Sequence, residues 1–377
     1  MKKYDIAAYV WPAYTGDEPR TRIFWPEGIG EWQTVKNMHE IMQYKPDDYT
    51  WDRKPLWGYV NEADPYVMEM EIEAAVDHGV NVFIYDWYWY DNRPFLENCL
   101  NDGFLKAKNH DKMKFYLMWA NHDVGLGWDR RISSDLENHV WKGGVNFEQF
   151  QEIAKRWIEK YFKLPCYYKI DGKPVLSIYE VANLIGGLGG VEQARKALEW
   201  LQEEAQKAGL PGVHLQMIKI GGENHQMNLS GFDKVDIGIT YLEAMEKLGF
   251  DSCTHYQYVH FTSLNRDYTE AMQDVLKEWQ NIRETVDKEF YPHVSVGWDN
   301  NPRYKKFADH VAKNNGPEVI EKALREAKDY ADTYNKTPLI TVNSWNEWTE
   351  TSYLEPDTLH GYGYLEAIRK VFLETEE

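Results

Sequence analysis

Short apolar runs that read as strands buried on both faces recur along the chain: Tyr4 to Val10, Asn81 to Tyr85, Lys114 to Trp119, Pro174 to Tyr179, Val213 to Ile218, Asp236 to Tyr241, His293 to Gly297 and Leu339 to Asn343. Between them the period changes. Pro65 to His78 follows Asp64, which serves as N-cap, places Met68, Ile72, Ala75 and Val76 on one face, and stops at Gly79. The same grammar predicts helices over Phe95 to Lys108, Phe147 to Phe162, Val191 to Ala208, Thr269 to Val286, Pro317 to Tyr334 and Tyr362 to Leu373, with a weaker short helix in the span Gly222 to Phe232.

Strand and helix alternating eight times predict an α/β fold, a (β/α)8 TIM barrel, because parallel strands need crossovers and eight of them close without an edge. An open doubly wound sheet is the alternative. It fits less well, since no glycine-rich turn follows the first strand. At 377 residues the chain exceeds the roughly 250 typical of a barrel. The excess falls in the βα loops, Trp11 to Asp64, Asn121 to Asn146 and Leu242 to Asp267, which thickens the rim where such barrels build their sites. No linker or repeat divides the chain, so residues 1–377 are read as one catalytic barrel domain.

Composition narrows the partners. With 61 acidic and 42 basic residues and a net charge of -19, the chain would repel a phosphate backbone, so nucleic acid and anionic membrane are not expected as partners. No apolar run has membrane-spanning length and no signal peptide is legible. The expectation is a soluble, cytoplasmic protein, or a periplasmic or secreted one where an export signal has been removed. Cys99, Cys166 and Cys253 show no metal or disulfide spacing. Neither a metal nor an organic cofactor is expected, and the oligomeric state is not legible. Sixteen Trp and 26 Tyr suit a cleft that grips a ligand with apolar faces and polar rims, as a sugar has.

The residues that finish the predicted strands strengthen this. Trp11, Asp86, Trp87, Trp119, Asn121, His122, Tyr179, Tyr241, Trp298, Asp299, Asn343, Trp345 and Asn346 alternate rings with carboxylates and amides. Rings offer stacking faces to C–H surfaces, and Asp, Asn and Arg303 offer paired donors and acceptors to hydroxyls. At the last strand stand Glu347 and Glu350, three apart between tryptophans. Glycoside cleavage requires two carboxyl groups about the anomeric carbon, and burial beside each other and beside indoles is how one of them stays protonated near neutrality. Glu355 reads as a structural acceptor or a substrate ligand. The glycine-rich Ile185 to Gly190 lacks the Lys-Ser/Thr of a phosphate loop and reads as a flexible lid, and His255 with His260 lacks metal-ligand spacing.

Two stretches carry a family resemblance. Trp119-Ala-Asn121-His122 and Asn343-Ser-Trp345-Asn346-Glu347-Trp348-Thr-Glu350, followed by Tyr353-Leu-Glu355-Pro-Asp357, resemble bacterial proteins with a glycoside hydrolase family 99-like domain, some of them described as lipopolysaccharide-biosynthesis glycosyltransferases. Similarity to the family 99 endo-α-mannosidases is more distant. The resemblance implies a barrel and a retaining hydrolysis without a covalent enzyme intermediate. In it Glu347 is the base that helps the sugar's own 2-hydroxyl attack, and Glu350 is the acid and base for leaving group and water. His122 departs from the family's usual Glu, and Thr351 from its usual Gly. A glycosyltransferase of surface polysaccharide assembly and a non-catalytic carbohydrate-binding barrel are the alternatives.

Overall fold

The computed structural model describes residues 4–16, 18–41, 45–47, 49, 53–132, 139–221, 226–228 and 236–374. Eight strands form its centre: β1 (Asp5–Val10), β2 (Val82–Tyr90), β3 (Lys114–Trp119), β4 (Lys173–Ile178), β5 (His214–Ile218), β6 (Ser252–Thr254), β7 (in two halves, Glu289–Phe290 and His293–Ser295) and β8 (Leu339–Asn343). Each pairs in parallel with its neighbours in chain order, and β1 pairs with β8 through Ile6 opposite Ile340. The ring closes through β7. Its first half lies against β6, with Cys253 opposite Phe290, and its second against β8, with Val294 opposite Val342. Across the intervening Tyr291-Pro292, Tyr291 N donates to Cys253 O (2.9 Å) and Pro292 O accepts from Thr341 N (3.1 Å), so no edge remains.

The sixth strand is not the one the apolar pattern picks out. Asp236–Thr240 pairs antiparallel with Gln226–Asn228 in a side hairpin, and three buried residues, Ser252–Thr254, take its place in the barrel. A strand so short shows no period, whereas Asp236 to Tyr241 alternates convincingly. Thr240 instead starts a helix: its side chain accepts from Glu243 N and the Glu243 carboxylate answers to Thr240 N, a reciprocal cap. The weak helix expected over 222–232 lies outside the described residues except for Gln226–Asn228, which are strand.

The helices are α1 (Trp32–Ile41), α2 (Pro65–Asp77), α3 (Phe147–Trp157), α4 (Val181–Leu188), α5 (Val191–Lys207), α6 (Tyr241–Leu248), α7 (Tyr268–Thr285), α8 (Pro317–Tyr334) and α9 (Gly363–Phe372). Asp64 caps α2 by accepting from Tyr66 N, and Asn146 with Gln149 caps α3 reciprocally. Phe95 to Lys108 does not form the long helix expected. It breaks into single turns at Cys99–Gly103 and Phe104–Lys106. The glycine-rich stretch is not a lid either: Ile185 to Leu188 finish α4, and a Cβ on Gly187 would stand 2.5 Å from Val145 N, so glycine is what lets the 145 backbone pack there. Among the described residues no helix is long and apolar enough to cross a membrane.

Candidate active site

The loop after β8 is built as a rigid platform. After a cis peptide between Asn343 and Ser344, the Ser344 hydroxyl accepts from Glu347 N (2.7 Å) and donates to Ser352 O (2.7 Å). Asn346–Glu347 then pairs antiparallel with Ser352–Tyr353, and Trp348 stacks on Tyr353 with ring centroids 3.7 Å apart. Asn346 ties this loop to the end of β1, its amide accepting from Trp11 N (2.7 Å) and donating to Trp11 O (2.9 Å).

Beneath the loop lies a second group of acids. Glu62, Glu71 and Glu355 place carboxylate oxygens within 4.8 Å of one another, all three buried. Each receives a donor from the loop or its continuation: Asn346 Nδ2 to Glu62 (2.9 Å), Trp345 Nε1 to Glu71 (3.0 Å) and Trp348 Nε1 to Glu355. Burial raises all three pKa values, Glu62 to about 8, and the neighbouring carboxyls add to the rise for Glu71 and Glu355. They form a buried cushion of carboxyls under the β8 loop, and the rise in all three favours retained protons. Three ionised carboxylates at this spacing in a buried site would repel strongly.

Above it, Arg303 joins three other carboxylates. Its guanidinium donates to Glu347 Oε1 (2.8 Å), Glu350 Oε1 (2.8 Å) and Glu31 Oε1 (3.3 Å), and Trp11 Nε1 also donates to Glu31. Arg303 ends a turn, Asn301–Arg303, that Asp299 holds by accepting from Asn301 N (3.0 Å) and Nδ2 (2.7 Å), while α1 grips it through Asn37 Nδ2 to Pro302 O (2.9 Å). Burial lifts both Glu347 and Glu350 above the ordinary carboxylate range. For Glu347 the Glu350 charge adds to the rise, and Arg303 opposes it for both. One cation among three acids leaves the set short of positive charge, which favours a retained proton.

Glu347, Glu350 and Arg303 open onto a cleft of about 330 Å³. Trp11, Asp86, His122 and Tyr179 line it as well. Asp86 accepts from Tyr256 Oη (3.1 Å) through Oδ2, while its Oδ1 is buried without a partner. His122 Nδ1 lies 2.9 Å from the carbonyl of Asp123, which can only accept, so Nδ1 carries the proton and Nε2 is left as acceptor. Burial lowers its pKa and keeps the ring neutral. Glu180, also on the wall, is raised by burial to about 7.

The remaining candidates lie elsewhere. Trp87 and Trp119 pack outward onto Trp157 of α3, and Trp87 Nε1 donates to Glu97 (2.8 Å). Asn121 clamps the β3 and β4 loops through Glu180 N and O (both 2.8 Å), and Tyr241 stands behind Glu180 with its hydroxyl 3.4 Å from Oε1. Asn343 accepts from Gln257 (3.0 Å) inside the barrel, and Trp345, Asn346 and Glu355 serve the platform. Trp298 and Asp299 line a second cavity of about 640 Å³.

Cleft and cluster residues absent from the sequence-derived set include Tyr88, Tyr256, Trp128 and Glu31. Tyr88 belongs to the inward face of β2, which runs to Tyr90 rather than Tyr85; the alternation from Asp86 to Tyr88 is its signal. Tyr256 follows the unrecognised β6. Trp128 and Glu31 come from the long βα insertions, whose pattern carries no signal for either.

Residues 6–368 match the sequence profile of the family described as Glycosyltransferase WbsX. The protein WxcX of Xanthomonas campestris pv. campestris (strain ATCC 33913) is 23% identical over 371 residues, covering 93% of this chain and 47% of its own length, so the chain spans about half of that curated relative. Among solved structures, the GH99 endo-alpha-mannosidase of Bacteroides thetaiotaomicron aligns over 97% of this chain and 95% of its own at 13% identity and TM-score 0.56. A protein described as glycoside hydrolase-like aligns over 100% and 95% at 10% identity and TM-score 0.61. The likeness to both structures is one of fold.

Proposed function

The chain belongs to the WbsX family, and on that premise we propose that it is a glycoside hydrolase that cleaves a bond of an oligo- or polysaccharide with Glu347 and Glu350. The observation that carries this reading is that both carboxyls reach one guanidinium and open onto one aromatic cleft. Rings of Trp11, Tyr88 and Tyr179 offer stacking faces, and the free Asp86 Oδ1 and the Nε2 of His122 offer acceptors to hydroxyls.

In the first step Glu347 takes the proton of the sugar's 2-hydroxyl, whose oxygen attacks the anomeric carbon. Glu350 gives its proton to the departing glycosidic oxygen. The 1,2-anhydro sugar is then opened by water. Glu350 accepts the water proton, Glu347 returns its proton to the 2-oxygen, and the configuration is retained. A second reading, transfer of the glycosyl group to an acceptor, is favoured by the description of the family itself.

The test is incubation with a panel of defined glycans and aryl glycosides, with and without sugar nucleotides, comparing wild type with Glu350→Gln. Hydrolysis by the wild type that the variant loses supports the proposal. Consumption of a sugar nucleotide with no glycan cut supports transfer, and sugar binding without turnover in either protein points to a non-catalytic role.

A further inference from the structure

The second cavity, about 640 Å³, shares a wall with the cleft. Thr351, on its lining, directly follows Glu350, and Asp299, also on its lining, donates its N–H to Glu350 O (2.7 Å). Arg53 lines it too, and the guanidinium Nε and Nη1 are buried with no hydrogen-bond partner. Buried charged donors without acceptors are costly, and a role in binding an anion is one of the few reasons they persist. The guanidinium is anchored by Tyr353 and Tyr364, which with Asp357 keep its charge against burial, so the open donors are Nε and Nη1.

Lys313 joins Arg53 on the wall, and so does Gly316, the N-cap of the 18-residue α8, which offers no capping side chain. A Cβ at Gly316 would meet nothing within 4 Å, so the positive end of α8 adjoins open space. Among the described acids of the lining, Asp299 is engaged by the Tyr49 hydroxyl and by Asn301, while Asp309 stands as a further carboxylate and Asp357 lies near Arg53. Trp298 and Phe307 add ring faces. In a chain of net charge -19, Arg53, Lys313 and the N-terminus of α8 offset the carboxylates of this lining, so an anion is repelled less here than over the chain as a whole.

We propose that this cavity binds an oxyanion, phosphate or carboxylate, carried on a saccharide, with Arg53 and Lys313 holding the charge and Trp298 and Phe307 holding the ring. The site is distinct from the cleft, where Arg303 is already engaged by three carboxylates. Binding here does not depend on what chemistry the cleft performs.

Calorimetric titration of the full chain with glucose 6-phosphate, glucuronate, inorganic phosphate and glucose tests it. The charged sugars are expected to bind at least about tenfold more tightly than glucose, and the better of the two identifies phosphate or carboxylate as the source. Arg53→Gln is expected to lose about tenfold in affinity. Lys313→Gln, at an exposed position where folding is not at stake, is expected to lose several-fold. Glu350→Gln should bind the charged sugar as the wild type does. The proposal is overturned if no charged sugar binds, if glucose binds equally, if inorganic phosphate alone binds as tightly as the sugar phosphate, if both cavity variants leave affinity unchanged, or if Glu350→Gln abolishes binding.

Discussion

Arg303 sets the electrostatics of the carboxylate pair. It is the main influence holding Glu347 and Glu350 down against burial, so its removal raises both. Under the proposed roles the base must be ionised for turnover, and the acidic limb of the rate profile follows that ionisation. Arg303→Gln is therefore expected to move the limb to higher pH, read as kcat/KM against pH. An unmoved limb would show that the Arg303 charge does not act on the pair. Thr351, where the resembled family commonly has Gly, adopts a left-handed φ of 52°, and its hydroxyl donates to Asp299 O (3.0 Å). A β-branched residue is strained there, and the bond offsets the strain. Thr351→Val, which keeps the strain and loses the bond, should cost about 1–2 kcal/mol in chemical denaturation, whereas Thr351→Gly should stay within about 1 kcal/mol of wild type. At this scale the sequence was informative wherever a motif fixed the position, as at Glu347 and Glu350. It was silent on Glu31, a lone Glu in a long insertion with nothing to set it apart from a solvated one.

The element that matters most is the β8 loop on its cushion of Glu62, Glu71 and Glu355. A carboxyl with a raised pKa in the folded state binds more protons folded than unfolded. Its contribution to stability is full below the ordinary value of 4.5 and is lost as pH rises through the folded value, about 8 for Glu62. Urea midpoints are thus expected to fall between about pH 4.5 and 8. Glu355→Gln, which still accepts from Trp348, should flatten that fall. A variant curve parallel to the wild type would remove the cushion from the account. The loop's role was partly legible, because Trp345, Asn346 and Glu355 stand out beside the carboxylate pair. Their direction was not: the turn built on Ser344 and Ser352 sends Glu347 toward the cleft and its neighbours toward the cushion, and spacing along the chain does not encode that reversal.

At the scale of the whole molecule, the barrel was legible because parallel strands alternating with amphipathic helices admit few closed solutions. What escaped was the identity of β6, where three residues between longer partners suffice once the ring is closed by the rest. With it went Tyr256, which sits one turn of chain beyond that strand and supports Asp86. The outward placement of Trp87 and Trp119 follows from the same geometry: adjacent strand residues face opposite sides, so a rim read as one list mixes cleft residues with residues that pack on α3.

If Glu347 and Glu350 direct water to an anomeric carbon, the mass of the sugar released from a glycan cut in the panel, with the reaction run in heavy-oxygen water, records it. One heavy oxygen at the anomeric position is expected with the wild type, and no release with Glu350→Gln. Release without heavy oxygen, with the glycosyl group recovered on an acceptor, or equal release by the variant, would contradict it.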